Sequence, residues 1–168
     1  KELESSQKDK AENVMIVDLV RNDLARISES GSIKVSELFG IYSYLQVHQM
    51  ISTVQSKLKK GLKFSDILYA AFPMGSMTGA PKIAAMKHIE ILESFQRGWY
   101  SGSTGYISPD GDFDFNVVIR SVICDEINNK IHYCAGGAIT IDSIPEEEWN
   151  EVRLKTKAIT EMLNDSSY

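Results

Sequence analysis

The segment Gly75-Ser76-Met77-Thr78-Gly79-Ala80-Pro81-Lys82 joins an apolar run at residues 67–74 to a helical pattern at residues 83–92. Its two glycines allow the backbone to approach a ligand closely, and Pro81 suits the first turn of a helix. A glycine turn before a helix N-terminus directs unpaired N–H groups toward an anion. The segment therefore predicts an anion-binding loop, with an ordinary loop–helix junction as the alternative. The spacing to Lys82 excludes a nucleotide P-loop.

Composition bounds the possible partners of the chain. Its 168 residues suffice for one domain with a core, and 43% hydrophobic with 24% charged residues is ordinary for globular proteins. A net charge of -5 without a basic stripe argues against nucleic acid. No apolar run reaches the ~20 residues that span a bilayer, so we expect no membrane partner and a cytoplasmic location. Two cysteines give no disulfide framework, and reduced thiols are expected.

Hydrophobic periodicity and turn residues predict four helices and five extended segments. Helices are predicted at residues 7–27, 80–95 and 145–164, and a further short helix is predicted to begin at a cap formed by Ser65. Ser5 and Ser6 are the candidate caps of the first helix, and Trp149 is the first residue of the buried stripe predicted for the last. The extended segments are predicted at residues 32–39, 41–54, 100–108, 112–124 and 130–141, with His48 in the middle of the second. Turn signals at residues 109–111 and 128–129 make the last three an antiparallel meander.

The middle strand of that meander carries a polar row. Asp112, Asp114, Asn116 and Arg120 alternate with apolar residues and so share one face. A polar row that ends in arginine indicates either a solvated face or the floor of a site for an acidic ligand. In the next strand, paired glycines at residues 136–137 indicate a bulge or a close backbone approach.

Two pairs of acidic residues begin two separate helices. Asp9 and Glu12, like Glu148 and Glu151, are three residues apart, so each pair projects from one helix face. Acids that merely complement the helix dipole in a solvated first turn are the alternative. Carboxylate oxygens are the ligands that Mg²⁺ takes in proteins, usually one or two beside a substrate anion and waters. Together with Arg120 and the glycine segments, they suggest a pocket for a small, multiply anionic metabolite.

Several motifs then occur in the order of a known family. They are residues 8–23 (Lys-Asp-Lys-Ala-Glu-Asn-Val-Met-Ile-Val-Asp-Leu-Val-Arg-Asn-Asp), 79–82 (Gly-Ala-Pro-Lys), 105–106 (Gly-Tyr), 119–120 (Ile-Arg) and 135–137 (Ala-Gly-Gly). Over nearly its whole length, the chain resembles the C-terminal catalytic half of the chorismate-utilising enzymes. The resemblance implies an α+β fold of antiparallel β-sheets packed between helices. It also implies that residues 1–168 are the C-terminal part of a chorismate-binding catalytic domain in a longer polypeptide.

Within the family, three motifs are similar to the aminodeoxychorismate (para-aminobenzoate) synthase branch, component I. They are Ala-Glu-Asn at 11–13, Met-Thr-Gly-Ala-Pro-Lys at 77–82 and Ala-Gly-Gly-Ala at 135–138. That branch implies an enzyme that aminates chorismate on the way to folate, with ammonia from glutamine through a glutamine amidotransferase subunit. Arg-Asn-Asp at 21–23, shared by both amino-transferring branches, argues against isochorismate synthase. Anthranilate synthase component I and a non-catalytic chorismate-binding module remain the alternatives.

The resemblance also assigns roles to individual residues. Glu12 and Glu151 match the family's Mg²⁺ ligands, with Asp9 and Glu148 as acidic neighbours that act directly or through water. The metal would grip the ring carboxylate of chorismate. His48, Thr78 and Lys82 match positions near the chemistry: His48 for proton traffic and Lys82 for orienting an anion or its helix. The positions expected to contact substrate are Thr78, Gly79, Tyr106, Arg120, Gly136 and Gly137, with Tyr106 and Arg120 on the enolpyruvyl carboxylate.

One departure from the family limits the activity expected of this chain. Aminodeoxychorismate synthases carry a nucleophilic lysine in a Pro-Ile-Lys-Gly-Thr motif, which does not occur in these 168 residues. A general acid/base glutamate also lies upstream in the family. We therefore expect the chain alone to bind Mg²⁺–chorismate weakly and not to turn it over.

Overall fold

The computed structural model describes residues 2–45 and 47–165 of the chain. It divides into two compact units, residues 1–94 and residues 95–168, and each is described by itself. Within the described residues, no helix combines the length and apolar character that crossing a membrane requires.

Among its described residues, the first unit contains four α-helices and one β-hairpin. The helices are α1 (Glu2–Ser5), α2 (Gln7–Ala25), α3 (Phe64–Ala71) and α4 (Lys82–Leu92), with a 3₁₀ turn at Gly75–Met77, and the strands are β1 (Lys34–Ser43) and β2 (His48–Gln55). The predicted cap of α2 is confirmed, because the Ser6 side chain accepts a hydrogen bond from the Asp9 amide at 3.2 Å. The predicted cap of α3 at Ser65 is wrong. Lys63 is the N-cap residue, and its amide donates to the Asp66 carboxylate at 2.8 Å.

The hairpin corrects the predicted extended segment at residues 41–54. β1 continues to Ser43, the chain reverses, and β2 begins at His48, which pairs with Ser43. The Tyr44 amide donates to the Val47 carbonyl at 2.8 Å and closes this turn. Tyr44, Leu45 and Val47 are not turn-forming residue types, so the sequence gives no signal for the reversal. His48 therefore starts a strand and does not lie in the middle of one.

Helix α2 packs on this hairpin. The Ser52 hydroxyl of β2 donates to the side-chain oxygen of Asn13 at 2.5 Å and accepts from the Phe39 amide at 3.0 Å. The buried apolar residues of this unit are Val17, Ile27 and Ala70, which come from α2, from the segment after it and from α3. The unit is thus a helical layer against one face of a two-stranded sheet.

As far as residue 165, where its described part ends, the second unit contains two β-hairpins and a long helix. Strands β3 (Ser103–Ile107) and β4 (Phe113–Val117) form one antiparallel pair, β5 (Val122–Asp125) and β6 (Lys130–Tyr133) form another, and α5 covers Pro145–Asp165. The two predicted long strands, 112–124 and 130–141, are too long. The first breaks between β4 and β5, and the second ends at Tyr133, so the paired glycines follow the strand and do not interrupt it.

The break after β4 changes the position predicted for Arg120. The backbone hydrogen bonds of the β3–β4 hairpin continue beyond the strands to Val118, which bonds to Ser101 and Gly102. Two residues later, Arg120 has a left-handed backbone with φ 49°. A positive φ is uncommon in residues other than glycine and ends the alternation of a strand. Arg120 is exposed in a turn and does not share the polar face of Asp114 and Asn116.

Helix α5 agrees with the predicted range, and its predicted stripe is wrong only at Trp149. Trp149, the predicted start of the buried stripe, is 62% exposed, whereas Glu148 is only 5% exposed. Val152, Thr156 and the later residues of the predicted stripe are half-buried.

Candidate functional site

The first turns of α5 and the paired glycines form one cluster in the second unit. Oε1 of Glu148 accepts a hydrogen bond from the Ser143 hydroxyl at 2.7 Å, and Ser143 Oγ accepts from the Thr140 amide at 2.9 Å. A methyl group added at Gly137 would lie 3.4 Å from Oε2 of Glu148 and 3.8 Å from Oε1 of Glu151. Both carboxylates therefore border the Gly137 backbone. A buried carboxylate is costly unless it is hydrogen-bonded, and Ser143 supplies such a bond.

Lys155 belongs to the same cluster, although the sequence did not single it out as a site residue. Its Nζ donates to Oε1 of Glu151 at 2.6 Å and to the carbonyl oxygen of Gly136 at 2.9 Å. The i,i+4 spacing from Glu151 is the signal in the sequence that could have indicated it. A cation between a carboxylate and a glycine backbone can attract a further anion.

The donor chemistry of this cluster fits part of a magnesium site. Glu148 and Glu151 offer two neighbouring carboxylates, the number that Mg²⁺ usually takes from a protein. Asp9 and Glu12 form the other predicted pair on α2, where both are half-buried. Among residues 2–45 and 47–165, no group of three or more acidic, histidine or cysteine side chains is gathered as a complete metal site. The predicted ligand set of four carboxylates stays a prediction.

Two other predicted substrate contacts of the second unit lie on exposed positions. Tyr106 is on β3 opposite Asp114, and Arg120 is in the turn after β4. In the described part of the chain, neither is hydrogen-bonded or ion-paired to the glutamates of α5. Gly136 belongs to the cluster through its carbonyl oxygen, which accepts from Lys155, and a methyl group added at Gly136 would lie 3.1 Å from the Tyr100 hydroxyl.

The loop from Gly75 to Lys82 carries the predicted contacts of the first unit. The Thr78 hydroxyl lies 3.3 Å from the carbonyl oxygens of both Met74 and Gly75, so it donates within the loop. Gly79 has φ 150°, and an added methyl group would lie 3.0 Å from Cβ of Ala85. Glycine is therefore required at this position. Donation from either residue to a substrate stays a prediction.

Lys82 and His48 each have a defined partner. Nζ of Lys82 donates to Oδ2 of Asp23 at 2.5 Å and to the Pro73 carbonyl at 2.8 Å. This ammonium is therefore directed into the protein, which suits the orienting role predicted for it. His48 is exposed, and its Nδ1 lies 2.9 Å from the Ser43 hydroxyl. This contact fixes the ring, whichever group donates.

Fold and site together define an α+β protein in which two carboxylates and a lysine of α5 lie against the backbone of the paired glycines. The chain belongs to the chorismate binding enzyme family, whose model matches residues 1–161.

Relatives and solved structures agree with this assignment. The chain is 49% identical over 157 residues to aminodeoxychorismate synthase, chloroplastic, of Arabidopsis thaliana, covering 94% of this chain and 17% of that protein. It is 45% identical over 161 residues to aminodeoxychorismate synthase component 1 of Escherichia coli, covering 96% of this chain and 35% of that protein. The crystal structure of anthranilate synthase component I from Streptococcus pneumoniae superposes on this chain with a TM-score of 0.80 at 38% identity. The match covers 95% of this chain and 36% of that one. The predicted α+β fold is thereby confirmed.

The chain spans only part of these proteins. It corresponds to 17% of the Arabidopsis relative and 35% of the Escherichia coli relative. The activity, substrates and partners of a whole protein containing this chain are therefore matters of proposal.

Proposed function

We propose that this chain is the chorismate-binding part of an aminodeoxychorismate synthase component I. The whole enzyme converts chorismate and ammonia to 4-amino-4-deoxychorismate, a precursor of para-aminobenzoate and folate. The observation that carries the proposal is the cluster around Gly137, where Glu148, Glu151 and Lys155 meet a glycine backbone. Chorismate is a dicarboxylate, and Mg²⁺ held by these glutamates, together with the Lys155 ammonium, would offer it positive charge.

The residues of the cluster divide the work of holding the substrate. The Lys155 ammonium, which is held by Glu151 and the Gly136 carbonyl, would add a third bond to an incoming carboxylate. Ser143 keeps the Glu148 carboxylate oriented toward Gly137. Glu151 and Glu148, with Glu12 and Asp9 of α2, would hold Mg²⁺. Bound there, Mg²⁺ supplies electrostatic stabilisation of the ring carboxylate as charge develops in the reaction.

Residues outside the cluster hold the other end of the substrate and move protons. Arg120 and Tyr106 bind the enolpyruvyl carboxylate, for which a guanidinium offers paired donors. The strained backbone of Arg120, with φ 49°, supports a functional role, since such conformations concentrate at ligand sites. His48 transfers a proton at the departing ring hydroxyl. Thr78 and Gly79 line the substrate through the loop that Lys82 orients.

A glutamine amidotransferase subunit delivers the ammonia in the cytoplasm. The nucleophilic lysine of this enzyme class comes from a part of the protein outside these 168 residues. Turnover therefore requires the longer protein, whereas weak binding of Mg²⁺–chorismate is a property of this chain.

Anthranilate synthase component I is the second candidate. It is favoured by the 0.80 TM-score and 38% identity to the structure from Streptococcus pneumoniae. The two candidates share chorismate, ammonia and the metal, and they differ in the product. Anthranilate is a fluorescent aromatic formed without a separate lyase, whereas aminodeoxychorismate needs such a lyase before it becomes aromatic.

Product analysis of the full-length protein tests the proposal. The protein is incubated with chorismate, Mg²⁺ and ammonium, with and without an added aminodeoxychorismate lyase, and the products are identified by mass spectrometry. We expect aminodeoxychorismate alone, and para-aminobenzoate only when the lyase is present. Anthranilate formed without the lyase would identify the second candidate. Binding of chorismate without any product would indicate a non-catalytic module.

A further inference from the structure

A buried carboxylate lies at the C-terminal end of α2, a position that helix formation does not favour for an acid. Asp23 is 5% exposed and falls in the last turn of the helix. An acid at that end interacts unfavourably with the helix dipole, and a buried charge is costly without a partner. Its partner is Lys82, the first residue of α4 and 59 positions away in the sequence. The side chains of Lys82 and Asp23 are only 14% and 7% exposed.

The loop between Pro73 and Lys82 is attached to α2 at two points. At the loop entrance, Gly75 packs so closely on α2 that an added methyl group would lie 3.0 Å from Cβ of Leu19. At the loop exit, Lys82 bonds to Asp23. Leu19 and Asp23 are four residues apart and so lie on one face of α2. One helix face therefore receives both ends of the loop.

Lys82 also joins the two ends of the loop to each other. Its ammonium donates to the Pro73 carbonyl at 2.8 Å in addition to Asp23, which fixes the separation between loop entrance and exit. An apolar pair could fill the same space, but it would not set the direction of a bond to Pro73. Buried ion pairs add little stability compared with apolar packing, and directional polar contacts can instead specify a geometry.

We propose that Asp23 is a positioning residue that acts through Lys82. Its carboxylate holds the Lys82 ammonium, which keeps the loop of residues 74–81 in the shape that presents Thr78 and Gly79 to the substrate. The effect on substrate rests on the proposed chorismate-binding function, whereas the effect on the loop does not.

Hydrogen exchange on this chain measures the loop directly. Asp23→Asn removes the counter-charge, and Asp18→Asn is the matched control on the same helix, because Asp18 is 62% exposed and pairs only with Arg21 among the described ion pairs. For Asp23→Asn we expect exchange of the amides at residues 75–80 to become about tenfold faster. Exchange in β2 should stay unchanged, and Asp18→Asn should behave as the parent chain.

A second variant separates positioning from general loss of stability. Asp23→Asn leaves Lys82 buried with an unpaired charge, whereas Asp23→Asn/Lys82→Met removes both charges. The double variant should retain slow exchange in β2 and still show fast exchange in the loop. Equally faster exchange in β2 and in the loop of both variants would overturn the inference, because the pair would then stabilise the whole unit. Unchanged loop exchange would overturn it as well.

Chorismate titration in the presence of Mg²⁺ gives the functional readout. We expect affinity to fall about tenfold in Asp23→Asn and in the double variant, and not in Asp18→Asn. Faster loop exchange with unchanged affinity would overturn the positioning role. If the parent chain binds no chorismate while the loop still loosens selectively, the proposed function fails and the attachment of the loop through Asp23 is supported.

Discussion

Replacing Glu151 by glutamine separates a role in binding from a role in folding. Glutamine keeps the size of the side chain and removes its charge. In the structure Glu151 pairs with Lys155 at 2.6 Å, with side chains 43% and 28% exposed, respectively. Such i,i+4 pairs at the surface contribute about 0.3–0.5 kcal/mol to the free energy of unfolding. For a domain of 60–100 residues that corresponds to a decrease in Tm below about 4 °C.

The expected effect on function is much larger. If Glu151 holds Mg²⁺ beside Glu148, losing its charge should abolish Mg²⁺-dependent turnover in the full-length enzyme, a change of at least about tenfold, or 1.4 kcal/mol. Glu147→Gln is the matched control, because Glu147 is exposed in the first turn of the same helix. Turnover is measured against Mg²⁺ concentration, and Tm by thermal melting of the same samples.

Two results would refute this reasoning. Near-normal turnover of Glu151→Gln would remove Glu151 from the metal site. A decrease in Tm far above about 4 °C would show that Glu151 supports the fold more than an exposed ion pair can.

Two further predictions concern the hairpins of the second unit. Gly105→Ala should lower the free energy of unfolding by about 1–3 kcal/mol in chemical denaturation, since the new methyl group would overlap the Asp114 carbonyl oxygen; unchanged stability would contradict this close packing. The side chain and backbone of Asn128 donate hydrogen bonds to the Asp125 carboxylate and hold its pKa below the ordinary value. The charged carboxylate therefore stabilises the hairpin at pH values above the ordinary pKa, and this stabilisation is lost as the pH falls through the lowered pKa. In Asn128→Ala, the pKa of Asp125 followed by NMR should rise toward its ordinary value, and no change would remove Asn128 as the cause.

Local features of the chain could be predicted from the sequence. The range of α5 and the cap of α2 at Ser6 follow from periodicity and from a polar residue before a helix. The predicted stripe of α5 fails only at its first residue, because a tryptophan is a better candidate for burial than a glutamate. Glu148 is buried there instead, and Ser143, outside the helix, hydrogen-bonds its carboxylate and so offsets part of the cost of burying it.

Features that depend on distant residues or on backbone strain were beyond the sequence. The reversal before His48 has no turn residue to mark it, and the break at Arg120 requires a positive φ that residue type does not favour. The pairing of Asp23 with Lys82 joins residues 59 positions apart. The pairing of Glu148 with Glu151 on one helix face follows from their spacing of three residues, and the structure adds the closeness of both carboxylates to Gly137.

The most direct test of the central claim is where chorismate binds on this chain. Isotope-labelled chain is titrated with chorismate in the presence and absence of Mg²⁺, and amide shifts are followed by NMR. We predict weak binding that requires Mg²⁺, with the largest shifts in the second unit at Gly136 and Gly137. Binding without shifts at these glycines, or no binding at millimolar chorismate, would contradict the account.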